Sequence, residues 1–369
     1  MKFEELFEDV TKLGVKIPQS EYLTKGKYPI FDQGQEYIAG FTDKEEGAYT
    51  DVPAYIFGDH TRIIKYVEKP CFLGADGVKL LRCRDYKVNS KYAYYALSAV
   101  KIPNTGYNRH FKWLKESIFH LPDFKEQERI VMQLNLTSEL IKRRKKQLAK
   151  LDELVKSRFI EMFGDPNCNP KNWNIVDLKE IVANKVTNGF FAKREEYRND
   201  GNVKVLGVAN IVNRMYSNTN NLPRTNATES DIQKYSVKYG DMLFCRSSLV
   251  VEGIGKASIV PKITSGPILF ECHVIRLPLD LKKCIPEFIQ ELSTTYFFRK
   301  QIVSQSKTST MTTIGQEVIL KSKIILPPLG LQKDFLYFIE QTNKLRVVIN
   351  QSLTQLELLK KSLMQQYFG

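Results

Sequence analysis

Apolar positions follow two kinds of pattern along this chain, and the two alternate. In residues 121–164 and 326–369 they recur at helical spacing. Elsewhere they come as short runs broken by Gly, Pro, Asn and Asp. The two helical stretches, "LPDFKEQERIVMQLNLTSELIKRRKKQLAKLDELVKSRFIEMFG" and "LPPLGLQKDFLYFIEQTNKLRVVINQSLTQLELLKKSLMQQYFG", align without a gap at an offset of 205. Twelve positions are identical, among them the opening Leu-Pro, Gln127/Gln332, a Lys-Ser pair and the closing Phe-Gly. In the second stretch the series Phe335, Phe338, Thr342, Leu345, Ile349, Ser352, Leu356, Leu359, Leu363 alternates steps of three and four, the seam of a coiled coil. In the first, Leu134, Ile141, Leu148, Val155 and Met162 form a heptad row, with Leu140, Leu151 and Leu154 beside it.

The prolines suit the opening turn of each helix and the glycines its stop. A helix of about 38 residues is roughly 57 Å long and must bury its apolar stripe against a partner. The other copy is the nearest one. The chain passes from one mixed segment to the next through the first helix and leaves through the second, so an antiparallel pair is expected. Pairing between two chains is the competing arrangement.

The remaining segments, 1–120 and 165–325, carry strand-like runs: "VPAYIFGD", "VKLLRC", "VKVLGVANIV", "YGDMLFCR", "GKASIVP" and "FECHVIRLPL". "KYAYYALSAV" (91–100) and "IPEFIQELSTTYFFRKQI" (285–302) read as helices. Both segments run through strands, an aromatic helix, a polar loop and a strand ending in Leu-Pro. The expected class is α+β: two related domains, 1–120 and 165–325, separated by the helices 121–164 and 326–369 as an antiparallel two-helix coiled-coil spacer. The whole is a pseudo-two-fold internal repeat.

Charge narrows the function. Lys and Arg number 55 against 41 Asp and Glu, a net +14, which favours a polyanionic partner such as nucleic acid. No run reaches the roughly 18 apolar residues of a membrane span, and "MKFEELFEDV" does not read as a secretory signal. A cytoplasmic protein without a membrane partner is expected. The six cysteines form no C-x-x-C pair and the four histidines no H-x-x-x-H, so buried free thiols are expected in place of a metal site. "EGIGKAS" (252–258) resembles the end of a phosphate-binding loop but has Val250 where that motif needs Gly. No nucleophile-base group stands out, and neither does an amino-methyltransferase motif.

Two copies of "LP…Q…L..LK.S…FG" (Val155 precedes the first Lys-Ser), each behind a diverged globular domain, resemble the specificity subunits of type I restriction-modification systems. "YPIFDQG" (28–34), "GDHTR" (58–62), "YGDMLFCRSS" (239–248) and "W..V.L.EI" (173–181) agree with the resemblance. The first domain departs from it, beginning at "MKFEELFEDV" without a tryptophan lead-in. The resemblance implies two target-recognition domains, each reading one half of a bipartite asymmetric site in double-stranded DNA. It implies a non-catalytic subunit with no cofactor of its own. Methyltransferase (M) subunits, two copies on a pseudo-symmetric platform, would dock on the helices, and motor-nuclease (R) subunits would join the full complex. S-adenosylmethionine and ATP would belong to those partners. The alternatives are a specificity subunit of another restriction class with the same plan, a coiled-coil scaffold that does not read DNA, and a nuclease with unrecognised carboxylates.

Base readout needs donors and acceptors on loops. "TGYNRHFKW" (105–113) supplies Tyr107, Asn108, Arg109, His110 and Lys112. Its counterpart "TSTMTTIGQ" (308–316), with Lys307 before it, is hydroxyl-rich and begins at Thr308. The other candidates are His60 and Arg62, which equally fit a turn closed by Asp59, together with Arg246, Lys193 and Arg194. Phe190 and Phe191 are expected in the core. The run "KRRKK" (142–146) fits a solvated helix face, a phosphate track or a partner contact.

Overall fold

The structure is a computed structural model that describes residues 1–74, 77–85, 87–106, 108–263, 266–308 and 311–369. The chain is a mixture of α-helices and β-sheets in two compact units. The first comprises Met1–Gln147 with Ile349–Gly369, the second Leu148–Val348. The division falls within both long helices, Phe124–Phe163 and Leu329–Phe368, each of 40 residues.

In the first unit the strand Ala54–Gly58 is buried at every position, which is why its sequence is continuously apolar and not alternating. It pairs antiparallel with Ile64–Val67 on one side and Val78–Cys83 on the other, and Phe7–Asp9 completes the sheet. A smaller sheet has Tyr28–Phe31 at its centre, antiparallel to Gly40–Thr42 and parallel to Phe72–Leu73. The helix Ser90–Ala99 starts at Asn89, whose side chain accepts from the amides of Lys91 and Tyr92.

The second unit has the same strand orders. Asp241–Cys245, also wholly buried, lies between Ala257–Ile259 and Val274–Pro278, with Thr187–Asn188 at the edge, all antiparallel. Its smaller sheet has Val203–Leu206 antiparallel to Arg224–Thr225 and parallel to Ile268–Phe270. The opening segments also correspond. Asn174–Asp177 pairs with Lys323–Leu326, whereas in the first unit Lys2 bridges Ile118 and the Phe119 amide donates to the Met1 carbonyl at 2.8 Å.

Several local readings change. Residues 285–302 are two helices, Pro286–Thr294 and Tyr296–Ser304. Thr295 separates them because its hydroxyl donates back to the Leu292 carbonyl and accepts from the Phe298 amide, capping the second helix. "VKVLGVANIV" is a strand to Leu206 and then a helical turn, Val208–Ile211, after Gly207.

The long helices pair within the chain. In the first unit Arg144 donates to Ser352, Lys145 meets Glu357 at 3.0 Å, and the Tyr367 hydroxyl donates to Gln133. In the second, Asp152 meets Arg346 at 2.7 Å and Phe159 packs on Phe335. Rising numbers on one helix meet falling numbers on the other, so the contacts are antiparallel.

The seam corrects two positions of the expected heptad. Phe335, Thr342, Ile349, Leu356 and Leu363 face inward, and Phe338 and Ser352 are half-buried, but the partly buried row also runs one residue further on, at Ile339, Arg346, Leu353, Lys360 and Tyr367. Leu345 and Leu359 are 56% and 48% exposed. Arg346 and Lys360 take the inward positions because long cationic side chains can bury their stems and keep their heads near water or a carboxylate. Burial and the nearby Lys145 push the Lys360 ammonium below its usual range.

Candidate nucleic-acid interface

In the first unit the turn 58–62 and the loop before the helix Phe111–Lys115 are built against one another. Asp59, buried, is the joint. Its amide donates to the Gly77 carbonyl, its carboxylate accepts from the Phe111 amide at 2.8 Å, and its carbonyl accepts from the His110 amide. Nδ1 of His110 lies 2.9 Å from that same carbonyl and Nδ1 of His60 lies 3.2 Å from the Asn108 carbonyl. The turn itself is closed by backbone bonds, Arg62 N–H to Gly58 O and Gly58 N–H to Ile63 O. Asp59 therefore does not close the turn; it reaches across to the neighbouring loop. Arg62 adopts φ 62°, a left-handed conformation that fixes the direction in which the chain leaves the turn.

This brings His60, Arg62, Asn108, Arg109, His110 and Lys112 into one locality, with different exposures. Asn108, Arg109 and Lys112 are exposed; His60 and Arg62 are half-buried. Lys112 lies over the Trp113 ring, 4.2 Å from its centre. His110 is wholly buried, its ring tilted at 33° to that of Trp113 and 5.4 Å away, so here it acts as a strut of the loop. Its burial differs from the exposed position expected of a reading residue. Tyr107 lies outside the described residues.

Sequence reasoning missed Gln33. Its side-chain oxygen accepts from the His60 amide and its carbonyl accepts from the Thr61 hydroxyl at 2.7 Å, so it supports the turn from below. The signal was present in "YPIFDQG". Asp32 of the same motif meets the buried Lys65 ammonium at 3.2 Å, and that ammonium also donates to the Glu36 carbonyl.

In the second unit the strand after Asp241–Cys245 continues through Arg246 into Ser247–Ser248. That strand pairs with Thr312–Thr313, which pairs with Lys307–Thr308. Ser247, Thr313 and Lys307 lie in one register row; Ser248, Thr312 and Thr308 in the next. Arg246 is half-buried. Its guanidinium donates to the Cys272 carbonyl, and its backbone joins His273 to Ile314. Lys307 and Thr308 are exposed. The three candidates Arg246, Lys307 and Thr308 are thus brought together, on a small sheet where the first unit has a turn. Ser309 and Thr310 lie outside the described residues.

Lys193 and Arg194 are exposed on a separate 3-10 turn, where the Lys193 amide donates to Glu196. The adjacent phenylalanines divide. Phe190 packs against Tyr235, but Phe191 is largely exposed, against the expectation that both were core. The run 142–146 is also divided. Arg143 pairs with Glu139, Lys145 with Glu357, and Arg144 faces the other helix.

Other chemistry is quiet. Burial pushes the thiols of Cys71 and Cys284 up to about 12 and that of Cys245 to about 11. Among the described residues no group of three or more His, Cys, Asp or Glu side chains converges as a metal site would need, and no helix is long and apolar enough to cross a membrane.

With the geometry in hand, known proteins supply the context. A family model described as the type I restriction modification DNA specificity domain matches residues 170–358, more than half of the chain. The type I restriction enzyme MjaVIII specificity subunit of Methanocaldococcus jannaschii is 25% identical over 261 residues, 66% of this chain and 59% of that protein. The EcoKI specificity subunit of Escherichia coli K12 is 24% identical over 204 residues, 51% of this chain and 41% of that protein. The matches thus span less than two thirds of either relative. The crystal structure of a type I restriction-modification S subunit from M. genitalium superposes with a TM-score of 0.59 at 16% identity, covering 100% of this chain and 95% of that one. A structure from work on assembly and conformational transition of the type I system gives 0.53, also at 16%, covering 100% and 96%. At such identity the superpositions speak for the fold alone. On the family match, this chain belongs to the type I restriction-modification DNA specificity family.

Proposed function

We propose that each unit reads one half of a bipartite, asymmetric site in double-stranded DNA, and that the chain itself performs no catalysis. The observation that carries this reading is that equivalent places in two units of equal strand order hold different chemistry. The first presents Asn108, Arg109 and Lys112 around a turn with His60 and Arg62. The second presents Arg246, Lys307 and Thr308 on a hydroxyl-rich sheet. Cations position a duplex through its phosphates, and amides, guanidinia and hydroxyls discriminate base edges. Lys193 and Arg194 fit phosphate contacts of the second unit.

In this reading the paired helices are the spacer of the two readers, and two methyltransferase subunits dock on them, with motor-nuclease subunits joining the full complex. Support for docking comes from apolar side chains that the pairing leaves exposed. Met132, Leu136, Leu358 and Leu359 do so in the first unit, Ile160, Leu345, Val347 and Val348 in the second. The experiment is to insert one heptad in each long helix, after Gln147 and after Val348. The number of unread base pairs between the half-sites should change while both half-site sequences persist. An unchanged gap would contradict the spacer role.

A further inference from the structure

Three consecutive apolar side chains project from the second unit beside its candidate reading sheet. Leu249 is 81% exposed, Val250 58% and Val251 41%. They follow Ser248, the last residue of the strand that pairs with Thr312–Thr313. The loop is closed on itself. The Ser248 hydroxyl accepts from the Val250 amide, the Gly253 amide donates to the Val250 carbonyl, and the Ile254 amide donates to the Val251 carbonyl. Its base is pinned, since the half-buried Arg299 guanidinium donates to the carbonyls of Glu252 and Ile254, and Ile254 lies in the core. The backbone is thus satisfied internally while the side chains are held in water. A fixed apolar tip costs free energy unless something covers it.

What surrounds it limits what that can be. The tip follows directly on the row of Ser248, Thr312 and Thr308, and the row before it, Ser247 and Thr313, leads to Lys307. Arg246 stands at the other end of the same strand. Cations and hydroxyls flanking an apolar tip suit a duplex groove: the charges meet phosphates, and the apolar atoms meet the one apolar group a base edge offers, the thymine 5-methyl in the major groove.

We propose that Leu249 and Val250 read thymine 5-methyl groups in the half-site of the second unit. This rests on the DNA-reading function proposed above. Among the described residues, the equivalent turn of the first unit is the polar Gly58–Arg62 segment, so methyl reading belongs to one half-site.

The test uses the full chain assembled with its methyltransferase subunit. Duplexes are selected from a random pool, and each thymine of the recovered motif is replaced in turn by deoxyuridine, which lacks only the methyl. At one or two thymines of one half-site, deoxyuridine should weaken binding about fourfold, the value of one buried methyl-sized group. Leu249→Ala with Val250→Ala should lower affinity for the thymine duplex by at least as much and abolish the distinction between thymine and deoxyuridine there. Both residues are exposed, so the variant should keep its unfolding midpoint. A half-site without thymine, insensitivity to deoxyuridine, or a variant that still distinguishes the two bases would overturn the inference and leave the two-half reading standing. Recovery of no motif at all would overturn both.

Discussion

Gln127 and Gln332, 205 residues apart, make the same two hydrogen bonds. Gln127 Oε1 accepts from the Asn89 amide at 2.9 Å and its Nε2 donates to the Pro122 carbonyl at 2.9 Å. Gln332 Oε1 accepts from the Ile285 amide at 2.9 Å and its Nε2 donates to the Pro327 carbonyl at 2.8 Å. Asn89 and Ile285 are the N-cap residues of equivalent helices, so each glutamine locks its unit's aromatic helix to the first turn of a long helix. The closing Phe-Gly does the matching job at the other terminus. Phe368 packs on Tyr92 and Phe163 on Phe288, each ring one turn inside the same two helices.

Both glutamines are buried, so Gln332→Leu strands the Ile285 amide and the Pro327 carbonyl. The expected loss is about 1–3 kcal/mol, and Gln127→Leu should cost a similar amount. Denaturant unfolding checks this; an unchanged midpoint for either would mean that water or a shifted neighbour replaces the bonds.

The seam register gives a second prediction. Ile339→Ala removes a buried side chain and should cost about 2–5 kcal/mol. Leu345→Gln, though a leucine of the expected heptad, should change stability by less than about 0.5 kcal/mol. Because Leu345 belongs to the exposed apolar set, its replacement should weaken retention of the methyltransferase subunit in co-purification.

Glu287 supplies the pH dependence. It is 1% exposed, and one carboxylate oxygen has no hydrogen-bond partner among the described residues. Burial raises its pKa above 4.5, opposed by its backbone bond and the Tyr216 hydroxyl and assisted by Glu340. Below that unfolded value both states hold the proton and the group is neutral to stability. As pH rises through 4.5 the unfolded state ionises first, so the folded state loses stability until the raised folded pKa is passed. Glu287→Gln should therefore match the parent near pH 4 and exceed it in thermal midpoint at pH 8. A deficit at pH 8 would show that the carboxylate is stabilising.

Arg109 and His110 are neighbours with opposite expected phenotypes. Arg109→Ala should leave the unfolding midpoint unchanged and relax discrimination at one half-site. His110→Ala should lower the midpoint, since it empties a buried site bonded to Asp59, and disturb the turn and the loop together. The pair separates reading from framing by comparing melting with binding specificity.

These contrasts show what the sequence made legible. The helical repeat was readable because its identities are the residues that make the equivalent bonds, Leu-Pro, Gln and Phe-Gly. The second row of the seam was not, because hydropathy prefers Leu345 and Leu359 to Arg346 and Lys360, while packing geometry chose the cations. The break at Thr295 was hidden because a capping hydroxyl looks like any helix threonine until its partners are known. In the candidate interface, clustering of polar residues on loops was visible. Which of them face outward was not, since burial of His110 depends on Asp59, fifty-one residues away in sequence. Gln33 and the Leu249 tip escaped for the same reason: their roles depend on which loops the sheets bring side by side.

The central claim is that two units read two halves of one site. Methylome sequencing of a host expressing this chain with its methyltransferase subunit tests it most directly, using the parent, Arg109→Ala, and Arg246→Ala with Lys307→Ala. The account predicts a split, asymmetric motif with unread bases in the middle. The first variant should relax one half only and the second the other half only. Both halves changing together, or a methylation pattern indifferent to this chain with an active, assembled partner, would contradict it.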